Sequence, residues 1–162
     1  MKLHYRPKGL PRRVVAEGIV AQTDITIHEG YPQAKVLVFE NRKAMRTFYR
    51  NDFRQFLNVE KTRPARLCTR AAAAVSKLWT GNDKKELVDR RYFCLVLLVQ
   101  GDLGIEVLTH EAVHVGFAWD FRTDGEGPLA EQNMREENVC YPAGIFARKL
   151  VVWLREKKVK MN

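Results

Sequence analysis

Two imidazoles and a carboxylate stand close together in His110-Glu111-Ala112-Val113-His114, an H-E-x-x-H sequence. Helical residues four apart differ by about 40° in direction, so the two rings project from nearly the same place and can bind one metal ion. Glu111 is turned by about 100° from His110, which sets its carboxylate beside that ion as a base for a bound water. The apolar residues Leu108, Ala112 and Val115 fall on the opposite side of the same helix, so core packing and metal binding do not compete for one face. A shuffle of this composition produces the pattern roughly 0.005 times, few enough to make it the starting point for function.

Zinc at a hydrolytic site takes three protein ligands and leaves a fourth position to water. One more ligand is needed. The longer pattern with a third histidine is disfavoured, because Asp120 occupies that histidine's place. Glu136 and Glu137, inside REENVCYPAG, are the better candidates. Glu137 follows His114 by 23 residues, room for the motif helix to finish, a Gly- and Pro-containing loop to turn, and a second helix to return alongside. Asp120, Asp124, Glu126 and Glu131 read as loop charges, and Cys140 as a small buried hydrophobe.

The segments LTHEAVH at 108–114 and EENVCYPAG at 136–144 resemble the small H-E-x-x-H metallopeptidases whose third zinc ligand is a glutamate on the following helix. Within that group the chain looks most like the compact intracellular peptidases of phages and bacteria, including relatives of the ImmA and IrrE proteins that act on repressors. The resemblance covers roughly the last 70 residues. It implies a zincin-like fold, one Zn2+ per chain held by His110, His114 and Glu137, and a protein or peptide substrate. Glu111 and Tyr141 are the catalytic residues it implies: Glu111 to take a proton from bound water and pass it to the leaving amine, Tyr141 to donate to a developing oxyanion. Helical spacing places Glu137, Tyr141, Gly144 and Arg148 on one stripe, which is expected to face the motif helix with Gly144 allowing close approach.

The elements that must position these residues are readable in part. Val14 to His28 reads as one long or two short strands, Glu29 to Pro32 as a turn, and Lys35 to Glu40 as the returning strand of an antiparallel hairpin. Asn41 caps a helix reaching about Arg50. Asp52 to Pro64 has no clear period, and the alanines of Ala71 to Trp79 suggest a short helix. Tyr92 to Val99 (YFCLVLLV) reads as a strand buried on both faces, followed by Asp102 at an N-cap position. Ile105, Leu108, Ala112, Val115 and Trp119 step by three and four, forming the apolar stripe of the motif helix. A last helix from about Leu129 to Lys157 should kink or divide at Pro142. The expected class is α+β: a small antiparallel sheet packed on the motif helix and a long C-terminal helix, in a single domain over 1–162.

Charge divides the chain. Of 28 Lys and Arg and 19 Asp and Glu, net +9, residues 1–91 hold 20 basic and 9 acidic side chains and 92–162 hold 8 and 10. The basic part suits an anionic partner, either nucleic acid or an acidic protein. The alternative function is therefore a basic binding module with a structural or vestigial metal site. It would rest on Arg42, Lys43, Arg46, Arg50 and Arg54 interleaved with Phe48, Tyr49, Phe53 and Phe56. Cys68, Cys94 and Cys140 make neither a disulfide framework nor a paired-thiolate zinc ribbon. No apolar run is long enough for a membrane span and none has the form of a signal peptide, so no membrane role and a cytoplasmic location are expected.

Overall fold

A computed structural model of the protein describes residues 10–52, 73–77, 91–123 and 136–162. The class is α+β. Strands β1 (Ile19–Ile25), β2 (Gln33–Phe39), β3 (Ala73–Lys77) and β4 (Tyr92–Val99) form one sheet in the order β1-β2-β4-β3. The helices are α1 (Arg42–Thr47), continued by a π-helical turn at Phe48–Asp52, then α2 (Ile105–Thr123) and α3 (Glu137–Glu156).

β4 carries the sheet. All eight of its side chains are buried, as an uninterrupted apolar run requires, and this needs neighbours at both edges and a layer on both faces. β2 runs parallel to it on one side and β3 antiparallel on the other, while β1 and β2 form the expected hairpin. The sheet is therefore mixed, not purely antiparallel. The long connection between β2 and β4 allows the parallel pairing, which no local signal in the sequence reports. β3 also replaces the helix expected at Ala71 to Trp79: pairing with β4 overrides the helical preference of its alanines. The first strand is confined to Ile19–Ile25, and Val14 is held instead by the Gln22 side chain, which accepts from Val14 N–H at 2.8 Å and donates to its carbonyl at 2.9 Å.

The two faces have different cores. Ala34, Val36, Val38, Cys94, Val96 and Leu98 meet Leu108, Ala112, Val115 and Trp119 of α2 and Phe146, Leu150 and Leu154 of α3. On the other face Leu37, Phe39, Tyr92, Leu95 and Leu97 meet Leu10, Val14, Met45 and Phe48. Each fully buried Leu or Phe contributes about 1.5–3 kcal/mol of burial. The Asn41 cap is present, its Oδ1 accepting from Ala44 N–H at 2.9 Å. Asp102 does not cap α2; its carboxylate pairs with Arg42 Nε at 2.8 Å and ties the two layers across the sheet end.

Lys35 and Tyr92 lie in the second core beside Asp24, whose two oxygens accept from Lys35 Nζ at 2.8 Å and from Tyr92 Oη at 2.9 Å. Burial first, then donation to Asp24, pushes the Tyr92 phenol up to about 12. Because the folded chain holds this proton more tightly than the unfolded one, its stabilisation is complete below pH 10 and is lost as pH rises through 12. Absorbance at 295 nm should therefore show one of the five tyrosines ionising last, near pH 12, and Tyr92→Phe should remove that step.

α2 and α3 lie side by side, and they meet tightly at Gly116. A Cβ there would overlap the Val139 carbonyl oxygen and stand 3.2 Å from the Ala143 Cβ. Gly144, expected to serve this purpose, has open space around it. Gly116→Ala should push the helices apart and cost about 1–3 kcal/mol, read as a lower midpoint in thermal or urea unfolding; Gly144→Ala should be neutral or stabilising.

Candidate functional site

The site residues stand on the 19-residue helix α2. Leu108, Ala112, Val115 and Trp119 are buried against the sheet, which turns His110 and His114 to the solvent side. Their Nε2 atoms are 3.1 Å apart and the rings meet edge to face. A tetrahedral zinc ion with Zn–N bonds of about 2.0–2.1 Å separates two ligand nitrogens by about 3.3–3.4 Å, so a small rotation of either ring admits the ion. Without a metal the same contact is a hydrogen bond in which one ring donates and the other accepts.

Glu111 is only 6% exposed and has no hydrogen-bond partner among the described residues. Desolvation raises its pKa, opposed in part by the charge of His110. A carboxylate held out of water in this way is a stronger base than a surface glutamate. Val113, Phe117 and Phe121 stand half-exposed beside the histidines, at 42%, 54% and 52%. They give the outer face of α2 an apolar border around two polar rings.

Glu137 is the first residue of α3 and half-buried; Glu136, just before it, is exposed. Tyr141 is 50% exposed, and Gly144 and Arg148 are exposed as well. The stripe read from the spacing exists, but α3 presents it outward. Asn138, Pro142, Phe146, Leu150 and Leu154 form the buried face, and Val139 and Ala143 meet α2 at Gly116. Thus His110 and His114 are brought together, whereas among the described residues no three His, Cys, Asp or Glu side chains gather around one point. Glu137 and Tyr141 remain attached to the site by the sequence pattern. α3 begins at Glu137 and continues past Pro142 to Glu156 without division.

Asp120 is not a loop charge. It lies buried in α2 and accepts from Asn138 Nδ2 at 2.5 Å, while Asn138 also reaches Thr123 Oγ1 at 3.3 Å. This link joins the end of the motif helix to the start of α3. Sequence reasoning missed Asn138, although it shares the four-residue step of Pro142, Phe146, Leu150 and Leu154, and a polar residue on a core stripe implies a buried partner. Cys140 is exposed and Cys94 buried. Cys68, Arg54, Phe53, Phe56, Asp124, Glu126 and Glu131 lie outside the described residues.

If the two rings are one metal's ligands, zinc should shift both sets of imidazole resonances together. His110→Ala and His114→Ala should each weaken zinc binding at least tenfold by competition with a chelating dye. No protein-family model, curated protein or solved structure matches the chain.

Proposed function

We propose that the chain is a zinc-dependent hydrolase of minimal zincin-like type that cleaves peptide bonds with one zinc ion per chain. The observation that carries this reading is the His110–His114 pair, with Nε2 atoms 3.1 Å apart on a solvent-facing helix beside a desolvated Glu111. In this reading His110 and His114 hold the ion and Glu137 supplies the third protein ligand. Zinc, when bound, lowers the pKa of a coordinated water and polarises the scissile carbonyl. Glu111 takes the proton of the attacking water on its carboxylate and delivers it to the leaving nitrogen, which departs as the amine. Tyr141 is the hydroxyl assigned to the developing oxyanion. The half-exposed Val113, Phe117 and Phe121 offer an apolar surface to a substrate side chain next to the histidines.

No helix among the described residues is long and apolar enough to cross a membrane. The binding-module alternative loses part of its basis. Phe48 is buried in the second core, Tyr49 is partly buried against it, and Arg42 is paired with Asp102. The two aromatic rings are therefore not open platforms for stacked bases.

Full-length protein dialysed against zinc and then metal-free buffer should retain about one zinc per chain. Glu111→Gln should keep the metal and lose peptide hydrolysis by about 10²–10⁴-fold, measured by mass spectrometry on a mixed peptide library. No retained zinc at micromolar concentrations, or a fully active Glu111→Gln variant, would overturn the assignment. Salt-sensitive nucleic-acid binding that survives chelation, with no hydrolysis, would favour the alternative.

A further inference from the structure

On the sheet edge formed by β1, a groove of about 600 Å³ runs between Arg12 and Arg13 on one side and the strand from Ile19 to Asp24 on the other. We propose that this groove docks an extended acidic segment of a partner protein, which adds to the outer edge of β1 and places its carboxylates against Arg12 and Arg13.

The first support is the edge itself. β1 pairs only with β2, so among the described residues no strand lies against its other side. Backbone N–H and C=O groups along a free edge are complementary to a chain in extended conformation. The six residues from Ile19 to Asp24 span about 20 Å, the length of a six-residue peptide segment at about 3.3 Å per residue.

The second support is charge. Lys35 and Asp24, which also line the groove, neutralise each other through their 2.8 Å ion pair, so the unbalanced charge is that of the two arginines. Both are exposed. Arginine meets carboxylate through two parallel hydrogen bonds, which gives such a contact geometry as well as attraction.

The third support is rigidity. The segment bearing the arginines is fastened to the sheet at two points: buried Lys35 Nζ donates to the Arg12 carbonyl at 2.5 Å, and the Gln22 side chain makes both bonds to Val14. A side chain rather than the strand backbone makes the second tie. A segment already held in place loses little freedom on binding.

A single-stranded nucleic acid fits less well. No aromatic side chain lines the groove, so bases would have no stacking platform. Val20, 47% exposed, instead offers an apolar spot for a neighbouring peptide side chain.

The probe is a fluorescein-labelled octapeptide of alternating Glu and Val, titrated with the full chain at low salt and followed by fluorescence anisotropy. Saturable binding is expected, with amide resonance shifts concentrated at 19–24. Arg12→Glu combined with Arg13→Glu should weaken it at least tenfold, as should N-methylation of alternate peptide residues, which removes strand-pairing donors from the probe without touching the protein. A peptide of Lys and Val should not bind. The amide spectrum checks that the double variant is folded; if it is not, Arg12→Gln with Arg13→Gln takes its place. Equal binding of the Glu and Lys peptides overturns the proposal, as does undiminished binding by a folded arginine variant or of the N-methylated probe. Tighter binding of a thymidine octanucleotide that displaces the peptide would also overturn it.

Discussion

The packing of Leu108, Ala112, Val115 and Trp119 onto the sheet is the constraint on which the candidate site depends. A helix has one rotation about its axis, and burying that stripe fixes it. His110 and His114, on the opposite side, are then turned outward together, and Glu111, about a quarter turn away, is drawn toward the buried side. The three residues thus acquire different environments from one packing decision: two accessible imidazoles whose nitrogens approach each other, and one carboxylate with little water around it.

The sheet makes that packing possible because β4 is covered on both faces. Its chemical consequence reaches the second layer as well. Asp24 is placed where it accepts from both Lys35 and Tyr92, so a buried cation and a buried phenol share one carboxylate. The same Lys35 fixes the backbone of Arg12. One layer therefore presents the histidines on α2, while the opposite layer supports two arginines at the β1 edge.

What could be read from the residues was whatever depends on local period. The motif helix, the buried β4 run, the β1–β2 hairpin and the Asn41 cap each announce themselves within a window of a few residues. What could not be read depends on partners distant in sequence. The alanines at Ala73 and Ala74 favour a helix until β4 offers them an edge to pair with. Asp102 stands where a cap belongs until Arg42, 60 residues earlier, is brought beside it. Gly144 is the expected contact glycine until the rotation of α3, set by its own buried stripe, turns it to open space and leaves Gly116 against Val139. That rotation also separates the legible part of the site from the rest: spacing within α2 predicts the histidine pair, whereas the position of Glu137 relative to that pair depends on how two helices cross.

Zinc K-edge absorption on the zinc-loaded full chain reports the metal's ligands without requiring a substrate. Two imidazole nitrogens at about 2.0–2.1 Å, with oxygen completing the shell and both imidazole signals lost together in a His110→Ala, His114→Ala variant, are the predicted result. A shell of sulfur, a shell unaffected by removing both histidines, or no retained zinc to measure would contradict it.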